Sequence, residues 1–369
     1  MRILHLVANL EKGGAEKQLF LLARETSHFI EHRVLAIKAE GPWATELRKC
    51  GATVSCWFQT QLSTPSLVPR LAREIRHRRP DIVHCWLPSI NLLGGIAAAL
   101  ACPSRPRVVA SIRNVDDWKP SWRVWLDRAA SFTWDAVVCN SQAGLECARR
   151  QGIPTSKLCW IPNGLASRAP GDRLGERARL GISAHQPLLA AASRLVPQKR
   201  VDRILDVAAG LRVAFPELQV LIAGDGPERA HLESRAAREL PQTVRFLGDL
   251  PDPRPLLTAA DAFLVTSERE GTSNSLLEAL QAGCPVFATD AGDNRLLIGQ
   301  AGFAGPAPML AAALSAALRT PARLDEMRRN ASLRAADFSV SRMASQTAAL
   351  YRRILAPANV PAHKESSHA

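Results

Sequence analysis

Short apolar runs alternate with longer helical patterns along this chain, and the alternation occurs twice. In the first half ILHLVAN precedes GGAEKQLFLLARETS, RVLAIKA precedes PWATELRKC, and DIVHCWL precedes SINLLGGIAAALA. RVVASIR follows, and DAVVCNS precedes QAGLECARRQG. The runs are apolar on both faces, as strands of a parallel sheet covered on both sides by helices must be. A segment rich in Gly and charge, NGLASRAPGDRLGERARLGI, then begins at Asn163. Beyond it the alternation restarts with PLLAAASRL, DRILDVAAGLRVAF, LQVLIAG, TVRFLGD, DAFLVTS, SLLEALQAG and PVFATD. The pattern predicts an α/β protein of two tandem Rossmann-like, doubly wound parallel-sheet domains facing a cleft. Residues 1–163 form the first domain and 164–340 the second. SVSRMASQTAALYRRIL predicts a final helix over 341–356 packing back on the first domain, and 357–369 reads as a disordered tail. Ligands of open α/β sheets lie beyond the carboxyl ends of the strands, so both sets of strand-end loops should line the cleft.

At 369 residues and 47% hydrophobic, the chain has enough apolar surface for two cores. No apolar run is long enough to span a bilayer. MRILHLVANL is too short and too polar at His5 and Asn9 for a secretory segment. The eight cysteines form no CxxC pair, which predicts a reducing, cytoplasmic location and no structural zinc. The net charge is +13 and uneven: residues 1–160 carry 22 Lys/Arg against 13 Asp/Glu, or +9, and the remainder +4. RLAREIRHRR, Arg70 to Arg79, is the densest basic stretch. It suits an anionic bilayer, a nucleic acid or an anionic small ligand, or is simply a solvated helix face.

Candidate chemistry concentrates in the second half. SRLVPQKRVD puts Arg194 and Lys199 on one strand-to-helix loop, where two cations can meet a phosphate. LQVLIAGDGPER carries Gly224 and Gly226 but has Arg229 where a dinucleotide fingerprint needs its third glycine. EGTSNSLLE, Glu270 to Glu278, places an acid on each side of Thr272, Ser273, Asn274, Ser275 and Leu276. These small polar residues predict a helix starting near Ser273 or Asn274, running to Ala282, with Gly283 at its end and Pro285 beyond. The free amides at about Asn274 to Leu276 form an anion site. A phosphate there with an acid on each side fits a nucleotide sugar, one carboxylate taking ribose hydroxyls and the other hexose hydroxyls. In the plainer reading, both glutamates are ordinary surface residues.

These segments together resemble the GT-B retaining glycosyltransferases of family 4. GGAEKQL, IPNG at Ile161–Gly164, SRLVPQKRVD, IAGDGPER, VRFLGD and E-x7-E followed by ALQAGCPVFATDAGDN occur in that order over nearly the whole chain. The resemblance implies that Glu270 approaches the transferred sugar and that Glu278 binds the ribose. It implies that Arg194 and Lys199 neutralise the diphosphate, that Gly13 and Gly14 bring backbone amides to it, and that the base sits by Leu247. The lack of any Asp-x-Asp agrees with a site without metal or other cofactor. The implied reaction is retaining transfer from a nucleotide sugar, UDP-linked, to a glycan or lipid-linked acceptor of surface-polysaccharide or glycoconjugate synthesis. No nucleic-acid partner is implied. The enzyme would work in the cytoplasm, peripherally at the inner membrane face.

Relatives place a histidine after the strand that here reads VVASIRN, where Arg113 and Asn114 stand. Arg113 is expected to face donor phosphate or acceptor, with Asn114 beside it. His84, at the end of DIVHCWL, is the other acceptor-side candidate, although such a residue commonly packs inside. Within 118–134, Trp118, Trp122, Trp125 and Leu126 share one helix face, which either packs on the sheet or touches lipid. A sugar-nucleotide 2-epimerase and a non-catalytic nucleotide-sugar-binding scaffold remain the alternative readings.

Overall fold

The computed structural model describes residues 1–356 apart from 12, 60, 63–65, 103–104 and 170. The expected disordered tail, 357–369, lies outside the described residues. Strands β1 (Arg2–Asn9), β2 (Glu31–Ala39), β3 (Thr53–Cys56), β4 (Ile82–Trp86), β5 (Arg107–Ile112), β6 (Ala136–Cys139) and β7 (Leu158–Trp160) form one parallel sheet in the order β3-β2-β1-β4-β5-β6-β7. Strands β8 (Leu188–Ala192), β9 (Gln219–Ala223), β10 (Val244–Gly248), β11 (Ala262–Val265), β12 (Val286–Thr289) and β13 (Gly302–Gly305) form a second, in the order β10-β9-β8-β11-β12-β13.

Alternate side chains of each strand enter opposite cores, as the period of two requires. In β1, Ile3 and Val7 point into one cluster while Leu4 and Leu6 point into another. In β8, Leu188 and Ala190 face one core and Leu189 and Ala191 the other. Burial on both faces explains why the runs are continuously apolar. The strand order reverses between β1 and β4 and again between β8 and β11, which marks the two crevices where ligands of such sheets lie.

The chain then returns to the first sheet. Leu165 N donates to Phe338 O at 2.7 Å and Val340 N to Leu165 O at 2.9 Å. From there the helix Val340–Leu355 buries Val340, Met343, Leu350 and Tyr351 in the core that holds Ile3 and Val7. Among the described residues no helix is long and apolar enough to cross a membrane.

Candidate active site

The carboxyl ends of β1, β8 and β11 open on one cleft of about 930 Å³ between the sheets. Gly13, Gly14 and Lys17 line it from the first sheet; Arg194, Lys199, Gly224, Glu270, Thr272 to Ser275 and Glu278 line it from the second. The helix Asn274–Gln281 starts as the sequence predicts, with Ser273 as its N-cap. Ser273 Oγ accepts from Leu276 N at 3.5 Å, so the Leu276 amide is capped. The Leu276 side chain lies in the core.

The two acids are each bonded to a lysine. Lys199 Nζ donates to Glu270 Oε1 at 2.5 Å, and Ser267 Oγ donates to the same oxygen at 2.6 Å. Glu270 is buried, so its charge depends on these partners. Lys17, from the helix Gly14–Thr26, reaches across the cleft to Glu278. Arg194 stands exposed on the cleft wall.

Close approach requires the glycine at 224 and brings the one at 14 against Asn274. A side chain at Gly14 would meet Asn274 Nδ2 at 2.6 Å. Gly224 has φ +124°, and a Cβ there would lie 1.9 Å from Ser193 O. The turn after β9 can pass under the Arg194 loop only with a bare backbone and positive φ.

A buried polar relay holds the helix start. Arg113 Nη1 donates to Asn163 Oδ1 at 3.1 Å, and Asn163 Nδ2 donates to Asn274 Oδ1 at 2.8 Å and to Thr272 O at 3.3 Å. Gln18 Nε2 donates to Asn274 Oδ1 at 3.3 Å, and Gln18 also brackets Gly164. Thr272 Oγ1 donates to Asn140 O at 2.5 Å. Asp293 accepts from Gln142 N at 2.6 Å and Ala143 N at 2.8 Å, capping a helix of the first half.

Both glycine loops, the cations Lys17, Arg194 and Lys199, and the acids Glu270 and Glu278 thus converge on one crevice built from two doubly wound sheets. Residues 12–167 match the model of Glycosyltransferase Family 4, and residues 172–336 that of Glycosyl transferases group 1. The lipopolysaccharide core biosynthesis glycosyltransferase LpsE of Rhizobium meliloti is 32% identical over 283 residues, 75% of this chain and 76% of that protein. This chain is a family 4, group 1 glycosyltransferase.

A GDP-mannose-dependent alpha-mannosyltransferase of Mycobacterium tuberculosis is 29% identical over 252 residues, 65% of this chain. The match spans 64% of that relative's length, less than two thirds. Anabaena HepE, solved in complex with UDP-glucose, superposes with a TM-score of 0.84 at 23% identity, over 96% of this chain and 100% of that one. The glycosyltransferase therefore has the two-sheet GT-B fold.

Besides Leu276, whose amide is capped and whose side chain is in the core, four sequence expectations move. His84 does not reach the cleft: Nδ1 bonds Tyr351 OH at 2.5 Å, Nε2 bonds Ser111 Oγ at 2.7 Å, and its ring stacks on Trp86. Burial first, then the Arg113 charge, holds its pKa well below the ordinary value. Arg113 does not line the cleft either. Its guanidinium lies 4.3 Å from the Trp86 ring centroid, and burial lowers its pKa to about 10. Its Nε is buried without a partner among the described residues. Arg113 is therefore linked to the helix start at Asn274 through Asn163. The Asn114 carboxamide turns back to the amide of Val115 at 3.0 Å. Leu247 lies in β10 and packs on the core; Asp249 and Leu250, just beyond, line the cleft instead.

Sequence reasoning misses Lys17, Gln18, Ser267 and Asn163 as site residues. In the sequence Asn163 reads as the start of the linker and as one letter of IPNG, with no site role attached. The IPNG motif is its signal, since a short polar side chain between Pro and Gly is placed by the turn around it.

Proposed function

We propose that this glycosyltransferase moves a sugar from a nucleoside-diphosphate donor to a glycan or lipid-linked acceptor of glycoconjugate synthesis, with retention of anomeric configuration. The observation that carries the reading is the pair of lysine-held acids, Glu270 and Glu278, on either side of the helix start at Asn274. A diphosphate laid across that helix start meets partial positive charge from its amides. Arg194 and Lys199, the latter shared with Glu270, add positive charge on one side, and the Gly13–Gly14 backbone closes the other. Glu278 is then placed for the ribose hydroxyls and Glu270 for those of the transferred sugar.

In the transfer, the bond from the anomeric carbon to the diphosphate oxygen breaks and a bond to the acceptor oxygen forms on the same face. The departing phosphate oxygen takes the acceptor's proton. Arg194, Lys199 and the helix amides hold the charge that grows on the leaving group, the kind of fixed electrostatic contact that contributes most to such steps. Glu270, already bonded by Lys199 and Ser267, orients the sugar and forms no covalent bond to it. These cations do the work a divalent metal would do, so the reaction is proposed to be metal-independent.

UDP is the proposed nucleotide. GDP-mannose is the second reading, favoured by the named substrate of the mycobacterial relative. A panel of UDP- and GDP-sugars, incubated with a lipid extract and read by nucleotide release and product mass, tests both. Glycosylated lipid with free UDP is expected. An epimerised donor, or nucleotide binding with neither product, would replace transfer with one of the two alternatives.

A further inference from the structure

Glu278 borders more than the donor cleft. Behind it, where the chain passes from the first domain to the second, lies a cavity of about 290 Å³ that Glu270 does not line. Lys17, Arg24 and Trp43 border it from the first domain, Arg168 from the linker and Arg254 from the second domain. A smaller lobe of about 190 Å³ continues past Arg168, Arg254 and Glu278. We propose that this cavity is a second anion site, separate from the donor cleft, that takes a phosphate monoester with a flat or apolar remainder.

Charge favours an anion there. The larger lobe has four cations, Lys17, Arg24, Arg168 and Arg254, against two carboxylates, Asp252 and Glu278. Both carboxylates are already engaged: Arg254 Nε donates to Asp252 Oδ1 at 2.7 Å, and Lys17 bonds Glu278. The Arg254 hydrogen bond first, with the Arg168 charge in smaller part, holds the Asp252 carboxyl below its ordinary value. Glu176, on the smaller lobe, is bonded at 3.0 Å by Arg179, which lines neither lobe. Arg24 and Arg168 are exposed, and neither forms a salt bridge among the described residues. Two guanidinium groups therefore remain in excess of the carboxylates, and guanidinium forks match the oxygens of a phosphate.

Shape favours an organic one. Phe20 and Trp43 line the same cavity and stack with ring centroids 5.2 Å apart, and the Arg24 guanidinium lies 5.3 Å from the Phe20 centroid. The ring holds Arg24 in place, so less freedom is lost when it binds. Leu21 and Leu165 extend this apolar wall. Inorganic phosphate would use the arginines alone, whereas a phosphate ester would also cover the aromatic wall.

Lys17 ties the cavity to the donor cleft, because it lines both. An anion behind Glu278 and a diphosphate in front of it compete for one ammonium, so each ligand weakens the other, reciprocally. This coupling rests on the donor reading above; the anion site does not.

Calorimetry with phenyl phosphate, on the full chain without donor, tests the site. Wild type and Arg194→Ala should both bind it. Arg24→Ala/Arg168→Ala should bind it at least about tenfold more weakly, the effect of losing charged hydrogen bonds, with thermal melts unchanged because both arginines are exposed. Inorganic phosphate should bind wild type more weakly than phenyl phosphate does. The arginine variant should bind UDP as wild type does, and saturating phenyl phosphate should weaken UDP at least about fivefold more in wild type than in the variant. No binding of phenyl phosphate by wild type, or equal binding by the arginine variant, would overturn the site. Loss of UDP affinity in the arginine variant without phenyl phosphate would also overturn it, since the cavity would then belong to the donor cleft. Equal weakening of UDP in both proteins would overturn the coupling through Lys17. Wild type that binds phenyl phosphate at these arginines but does not bind UDP would refute the UDP assignment and uphold the site.

Discussion

Lys17 and Glu278, 261 residues apart, are bonded across the cleft, so the first domain occupies the carboxylate that is proposed to take the donor ribose. Donor entry would have to share or break this bond, and the ammonium would be left beside the diphosphate. A hydrogen bond to a charged group contributes about 1.5–3 kcal/mol, or roughly 10- to 100-fold in affinity. Lys17→Ala is therefore expected to weaken UDP binding by about tenfold in calorimetry. Undiminished affinity would reduce the pair to a clasp between domains.

Glu278→Gln should weaken free UDP about tenfold and change turnover less. Glu270→Gln should leave UDP affinity within about twofold and lower kcat by roughly 10²–10³, the usual cost of one lost transition-state contact. Calorimetry and steady-state kinetics on both variants separate the roles, and the opposite pattern would exchange them.

Arg194→Ala and Lys199→Ala should each lower kcat by roughly 10²–10³, with EDTA without effect on wild type. The Lys199 variant should also lose part of its thermal stability, because buried Glu270 would keep only the Ser267 hydroxyl of its two partners. Arg194 is exposed, so its variant should melt with wild type. Full activity in the double variant would sink the metal-free cation mechanism.

Asn163→Ala removes the link between Arg113 and the helix start at Asn274. It should cost about 1–3 kcal/mol of stability through the buried groups left unpaired, and slow transfer without changing which nucleotide binds. Arg113→Lys should behave similarly, since an ammonium cannot both stack on Trp86 and bond Asn163 as the planar guanidinium does. Wild-type kinetics in the Arg113→Lys variant would disprove the relay.

Acid should unfold the first domain through its buried histidines. His5 Nε2 bonds His32 Nδ1 at 2.9 Å, and Trp86 Nε1 donates to His5 Nδ1 at 3.2 Å. Burial holds His5 and His84 well below the ordinary 6.5 and lowers His32 to about 4. Between these values the unfolded chain binds more protons than the folded one, so stability is full above pH 6.5 and falls as pH drops towards 4. Denaturant unfolding at stepwise pH reads this loss, and His32→Gln should make it shallower. A flat profile from about pH 7 to about 4.5 would contradict it.

What the sequence determined by itself is the part that local periodicity encodes. Continuous apolar runs of strand length between helical patterns can be satisfied only by sheets buried on both faces, which fixes two parallel layers and the strand ends where a ligand lies. The start of the helix at Asn274 was equally legible, because Ser273 caps it with its own side chain. Tertiary structure decided everything that needs a distant partner. His84, within β4, and Arg113, just after β5, look available, yet Tyr351 and Asn163 arrive from remote segments to occupy them. Lys17 looks like an ordinary helix cation until Glu278 is placed opposite. The spacing of Trp118, Trp122 and Trp125 shows that they share a face, but which face points outward depends on Lys119 being trapped between Asp116 and Asp127. Periodicity reports the phase of a helix relative to itself; only packing reports which side its neighbours cover.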